Sequence, residues 1–276
     1  MTAINPHPQR DQALELRYGQ KAKPSAGPWN ETIAGLLSHR SVRKYKSTPL
    51  EPGTLQTLIA AAQSAATSSN LQCWSVVSVT DPAMRSELAS IASGQKHIEQ
   101  CPLFLVWICD LSRNRRLGQA SGVELESLEL TESFLVGAID AALAAQNAVI
   151  AAESLGLSTV YIGALRNNAQ RVAEMLELPK EAFAVFGMCV GYADTDAEVK
   201  PRLPQQAVLF QNHYKASAED QLRNEYDQTL GEFSRRQGMA NETWTERVIE
   251  RTVRKSGVGT RAQLRSILEK LGFPLR

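Results

Sequence analysis

The sequence lacks the motifs that carry most side-chain chemistry. It has no H-E-x-x-H, no G-x-S-x-G, no Walker loop, and no G-x-G-x-x-G after a strand-like run. His7, His39, His97 and His213 are scattered, and no carboxylate cluster has metal-ligand spacing. Those absences argue against a hydrolase or a metalloenzyme and for a cofactor that carries the difficult step. Cysteine is scarce too. Cys73, Cys101, Cys109 and Cys189 form no C-x-x-C pair and sit among apolar neighbours, as buried small hydrophobes do in a reducing compartment. Charge of either sign is nearly absent as a net quantity, at +1 from 30 basic and 29 acidic side chains. No bulk attraction to nucleic acid or anionic lipid follows, so neither is an expected partner. The opening "MTAINPHPQRDQ" has no apolar core of the secretory kind. The longest charge-free stretch of the alanine-rich middle, 141–152, is shorter than the roughly 18 residues of a bilayer span. A cytoplasmic protein is expected.

What is present alternates between helical and strand-like segments. Residues 1–28 are polar, carry Pro6, Pro8, Pro24 and Pro28, and read as a tail or draped arm with little structure of its own. Asn30 can cap a helix over "ETIAGLLSHR". "GTLQTLIAAAQSAAT" has helical spacing, "CWSVVSVTD" reads as a strand, and "PAMRSELASIAS" as a helix with Pro82 in its first turn. "LFLVWICD" is a buried strand. "TESFLVGAIDAALAAQNAVIAAESLG" is a long helix, opened by Thr131 or Ser133, closed by Gly156 and interrupted by Asp140, Gln146, Asn147 and Glu153. "LSTVYIGAL", a helix over "AQRVAEMLELP", and the strand "AVFGMCVGYAD" follow. A loop braced by Pro201 and Pro204 leads to two helical stretches near 217–235 and 243–271. The economical reading is one mixed α/β domain, 29–276, with a helical C-terminal extension over about 217–276.

Four polar islands interrupt this pattern. In "HRSVRKY" an extended chain would set His39, Ser41 and Arg43 on one side, which suits a phosphate and the polar chain leading from it; a solvated basic helix end would look the same. "ATSSNLQCW" places Thr67, Ser68, Ser69 and Asn70 between a helix and a strand, as a turn or as ligand-binding hydroxyls and amides. "SGQKH" offers Gln95, whose amide both donates and accepts and so suits an imide-like ring edge, unless it is only a surface loop. In "EVKPRLP" a proline separates Lys200 from Arg202, so little entropy is lost in aiming two cations at one dianion.

In this order the islands resemble the FMN-containing oxygen-insensitive nitroreductase and NAD(P)H–flavin oxidoreductase family, in its larger-subunit, NADPH-dependent branch. The resemblance rests on "HRSVRKY", "SSNLQC", "GQKH", "AQNAVIAAESLG", "VYIGALRNN", "FGMCVGY", "KPRLP" and "ETW", from about residue 31 to the C-terminus. It implies an α+β fold, a three-layer α/β/α sandwich with a mixed central sheet, assembled as a homodimer with FMN at each of two subunit-interface sites. It implies that His39, Arg40, Ser41 and Arg43 line the phosphate, ribityl and N1–O2 side of FMN. Thr67, Ser68, Ser69 and Gln72 would add hydroxyl and amide contacts, and Gln95, Lys96 and His97 would border the ring and its approach. Tyr161, Ile162, Gly163 and Ala164 would pass the isoalloxazine with backbone N–H groups near N5 and O4, and Lys200 and Arg202 would clamp the phosphate.

The chain also departs from the family pattern. Ala164 stands where a second glycine is usual, and Asn70 where a bulky residue is usual. Arg235 matches an arginine associated with the NADPH 2′-phosphate, while Ala240 and Asn241 replace its basic partner, leaving NADPH against NADH open. The implied activity is ping-pong reduction of nitroaromatics, quinones, flavins, chromate or related acceptors by NAD(P)H, with Arg43 as electrostatic stabiliser and no side-chain acid or base. Two rivals are a flavin-binding protein without efficient turnover and a basic interaction module; the near-neutral net charge weighs against the second.

Overall fold

The computed structural model describes residues 8–25, 27–240, 243–253 and 261–276. They fall into two compact units, Met1–Arg40 with Ala197–Gly257, and Ser41–Asp196 with Val258–Arg276. The first unit begins with α1 (Pro8–Tyr18) and α2 (Glu31–Ser38). The second then runs through α3 (Thr54–Gln63), β1 (Trp74–Ser78), α4 (Pro82–Ile91), α5 (His97–Gln100), β2 (Leu103–Asp110), α6 (Ser112–Ala120), α7 (Thr131–Ser154), β3 (Ser158–Ile162), α8 (Ala169–Met175) and β4 (Ala182–Gly191). The chain returns to the first unit with α9 (Glu219–Arg236) and α10 (Trp244–Val253), and to the second with α11 (Leu264–Lys270).

In the first unit, residues 8–18 of the polar N-terminal stretch form a helix where the composition suggests little structure. Pro8 sits where a helix tolerates proline, and the inward positions are Arg10, Leu14 and Arg17. Their i, i+4, i+7 spacing is helical, but two of the three are arginines, so an apolar pattern does not show it. Asn30 caps α2 as expected, its Oδ1 accepting from the Ile33 N–H at 2.9 Å. α9 buries Tyr226, Leu230 and Phe233, against which Leu203, Met239 and Trp244 pack. In place of one helical stretch over 243–271, α10 and α11 lie in different units; 254–260, like His7, Asn241 and Glu242, fall outside the described residues.

The second unit is built on a sheet of order β1-β2-β4-β3. Its strands pair antiparallel throughout; the expected mixed sheet reduces to one parallel bridge, Ser41 to Thr159. β2 is buried along its whole length, so its period of two serves two packed faces. Leu103, Leu105 and Trp107 join α3 and the alanines 144, 145, 148 and 152 of α7 in one core. On the other side Phe104 meets Gly187 and Leu165, in the turn after β3. Small residues let α7 approach α3 closely, and Asn147 Nδ2 donates to the Ala61 carbonyl at 3.2 Å. α7 is long and apolar enough to cross a bilayer by length and composition alone; here that composition serves the core. It starts without a side-chain cap because the N-cap residue is Leu130, whose side chain has no acceptor; Thr131 and Ser133 lie inside the first turn, where their hydroxyls donate to the carbonyls of Arg276 and Ser127. Gly156, at φ 74°, ends it in the left-handed region. Residues of the C-terminal segment, Leu268, Leu271 and Phe273, close a second core with Leu111 and Phe183. All four cysteines are buried and unbridged.

A Cβ on Gly187 would lie 2.6 Å from Phe104 Cζ and 3.0 Å from Leu165 Cδ1. Gly187→Ala is therefore expected to cost about 1–3 kcal/mol by overpacking. The check is the chemical denaturation midpoint; an unchanged value would mean that these neighbours give way freely.

Candidate functional site

Each unit gathers its own set of the expected site residues. In the first, the link is Arg17, only 5% exposed. Its Nη1 donates to the Lys200 carbonyl at 2.8 Å, and its Nη2 to the carbonyls of Leu37 at 2.6 Å and His39 at 2.8 Å. In return the Arg202 N–H donates to the Arg17 carbonyl at 2.8 Å. The first and fourth islands, far apart in sequence, thus meet on one guanidinium. The Tyr226 hydroxyl adds a bond to the Pro201 carbonyl at 3.0 Å, and the Lys200 ammonium lies 6.0 Å from the centre of the Phe233 ring. Arg40 and Arg202 remain exposed. Burial raises the Tyr226 phenol above its usual value, while the positive charges of Arg202, Arg247 and Arg17 oppose that rise. The loop therefore sits in a cationic environment. Arg235 lies in the last turn of α9, beside a shallow hollow of about 370 Å³ that it shares with Asp227 and Glu232; acidic neighbours dilute its charge.

In the second unit the basic island is extended, not a helix end. The Val42 N–H donates to the Thr159 carbonyl at 3.0 Å, beside β3, and Tyr45 forms an antiparallel bridge with Ala193. Val42 and Tyr45 are buried and Ser41, Arg43 and Lys44 exposed, so the expected alternation holds over 41–43 and breaks at Lys44 and Tyr45. The third island divides. Gln95 is half-buried, Lys96 exposed and His97 buried, with its Nε2 lacking a hydrogen-bond partner. Burial first, and then the positive charge of Arg43, depress the His97 imidazole below its usual value.

After β3 the chain enters a 3₁₀ turn over Gly163–Asn168. Ala164 is not among the residues with positive φ, so this backbone needs no second glycine. The turn is held from outside. Arg261 Nη2 donates to the Gly163 carbonyl at 3.1 Å and its Nε to Asn167 Oδ1 at 2.8 Å. Asn167 in turn donates to Ser93 Oγ at 3.1 Å, which joins the third island to the "YIGAL" segment. Tyr161 stacks edge-on against Phe186 at 4.9 Å, and its hydroxyl meets Gln146 Oε1 at 3.3 Å.

The second island does not join this group. Thr67–Gln72 precedes β1, at the sheet edge opposite β3, three strand spacings or about 14 Å away. It is strongly shaped all the same: Ser69, Asn70 and Gln72 hold φ of 49°, 55° and 50°. Asp140, 1% exposed, fixes it by accepting from the Ser68 N–H at 3.1 Å and the Cys73 N–H at 3.2 Å. Arg17, Asp140, Asn167 and Arg261 are the residues that sequence reading does not single out as part of a site. Asp140 had a signal, since a carboxylate inside an apolar helix must find donors. Arg261 had none.

Helices packed on a small antiparallel sheet define an α+β fold. Residues 36–192 match the Nitroreductase family and residues 200–276 its C-terminal domain; the chain belongs to the nitroreductase family. It is 38% identical over 249 residues to the FMN reductase (NADPH) of Bacillus subtilis, covering 88% of this chain and 98% of that protein. It is 37% identical over 247 residues to the oxygen-insensitive NADPH nitroreductase of Salmonella typhimurium, covering 89% and 99%. The structure of NADPH:FMN oxidoreductase from Vibrio harveyi complexed with NAD+ superposes with a TM-score of 0.79 at 37% identity, covering 90% of this chain and all of that one.

His97 gives the site a pH signature. Its folded-state affinity for a proton is below that of an unfolded imidazole, so the unfolded chain binds more protons as pH falls. The associated stability is present above the ordinary imidazole value and is lost on acidification. Melting temperature is expected to fall between about pH 7.5 and 5, and to fall less in His97→Asn. Identical slopes in the two proteins would contradict this placement of His97.

Proposed function

We propose that the protein is an FMN-dependent oxidoreductase that takes hydride from NADPH or NADH and reduces nitroaromatics, quinones, flavins or related small acceptors. The observation that carries this reading is the meeting of the His39–Arg40 and Lys200–Arg202 segments on Arg17. Two exposed cations and two half-buried polar side chains in one place fit a phosphate dianion, as FMN presents.

When bound, FMN supplies hydride acceptance at N5 and passes the electrons on in a second half-reaction, so donor and acceptor use the same space in turn. Lys200 and Arg202 hold the phosphate, with His39 and Arg40 beside it, and the Ser41 hydroxyl serves the polar chain. Arg43 places a positive charge at the N1–O2 edge, where reduction builds negative charge. Gln95, Lys96 and His97 border the ring and its approach. Tyr161, Ile162, Gly163 and Ala164 would run past it and offer their backbone N–H groups; Arg261, holding the Gly163 carbonyl, keeps that turn preorganised. No side-chain acid or base is assigned, and protons come from water. Arg235 is the contact we assign to an NADPH 2′-phosphate. The names of the relatives favour turnover over a flavin carrier.

The working form is a homodimer. Thr67, Ser68, Ser69 and Gln72 lie too far from the ring set of their own chain to serve it, whereas a second copy can bring the same segment to it. α7 also presents Leu135, Ile139 and Leu143, exposed by 50%, 47% and 44%, at i, i+4, i+8 spacing. Such a stripe suits an isologous contact. We place the protein in the cytoplasm, with no nucleic-acid or membrane partner.

Purified protein is expected to be yellow, to bleach on NADPH and to recolour on a nitroarene. Lys200→Ala combined with Arg202→Ala should lose most of the flavin, with the circular dichroism of the fold intact. Unchanged flavin content would overturn the phosphate assignment. Ile139→Glu should halve the mass measured by light scattering; a wild-type monomer would remove the dimer.

A further inference from the structure

Helix α1 precedes residue 36, where the family match begins, yet it supplies the side chain on which both phosphate-binding segments converge. We propose that Arg17 is a positioning residue for the flavin phosphate: it fixes the Lys200–Arg202 loop against the His39 segment and so sets the geometry of the cations around the dianion. The proposal rests on the FMN reading above.

The argument is geometric. A guanidinium is a rigid planar fork of five donors. Here its two terminal nitrogens serve carbonyls separated by 183 residues on one side and by 20 and 22 on the other. The return bond from the Arg202 N–H to the Arg17 carbonyl ties the phosphate-side arginine to the backbone of α1 itself. The loop is thus located by both the main chain and the side chain of one residue. The bonds also remove an obstacle. The carbonyl oxygens of Leu37, His39 and Lys200 carry partial negative charge that would repel a phosphate, and Arg17 takes all three. Its own positive charge, only 5% exposed, is poorly screened by water and adds to the field at the loop.

A plain anchor for α1 would make the same bonds, so the test must separate the two roles. FMN and riboflavin differ by the phosphate alone. Each is titrated into flavin-free full-length protein, wild type, Arg17→Ala and Arg17→Lys. Arg17→Ala is expected to weaken FMN about tenfold or more while leaving riboflavin affinity close to wild type, so that the preference for FMN collapses. Arg17→Lys, which keeps charge and stem but cannot fork, should fall between. It also carries the comparison if the alanine variant does not fold. Equal losses for FMN and riboflavin would make Arg17 a structural anchor and overturn the proposal, as would unchanged FMN affinity in both variants. Wild-type protein that binds neither flavin is a distinct result, which removes the FMN reading itself.

Discussion

The Val42 N–H bonded to the Thr159 carbonyl decides what the basic run around it can be. Left in solvent, residues 39–46 would be a charged helix end with no fixed shape. Docked against β3 through the Ser41–Thr159 bridge, the run is held extended, with Val42 and Tyr45 inward and Ser41 and Arg43 outward. The same pairing places the Arg43 charge where His97 feels it.

Holding cations in place is the recurring physical problem of this chain, and it is solved with backbone carbonyls. Arg17 spends its guanidinium on three of them, Arg261 on one beside an amide, and Tyr226 its hydroxyl on another. Each bond fixes a loop whose neighbours carry the exposed charges. Asp140 mirrors this with opposite sign, a buried carboxylate accepting from two backbone N–H groups to shape the Thr67–Gln72 turn. Net charge near zero is consistent with this design, because the electrostatics are local and arranged by hydrogen bonds.

Elements with clean periodicity were legible in the sequence. β2, β4, α3, α4 and the body of α7 follow directly from their apolar patterns, and Asn30 marked the start of α2. The polar islands stand out as interruptions of the apolar pattern; His39 of the first meets Lys200 of the fourth on Arg17, Arg43 of the first lies where its charge reaches His97 of the third, and the second stands apart. The differences have separate causes. α1 was missed because arginines occupy two inward positions, and a hydropathy reading counts arginine as outside. The opening of α7 differs from the expected cap because the N-cap position falls on Leu130, one residue before Thr131. The mixed sheet was inferred from family resemblance, while the strand register is antiparallel throughout. Arg261 lies almost 100 residues from Gly163, a separation no local pattern encodes.

The central claim is that the His39 and Lys200–Arg202 segments, remote in sequence and joined by Arg17, form the binding place of one flavin phosphate. A crystal structure of the FMN-loaded protein measures this most directly. The account requires the phosphate oxygens to be hydrogen-bonded to the side chains of Lys200 and Arg202. A flavin phosphate held by other residues, with Lys200 and Arg202 turned to solvent, would contradict it.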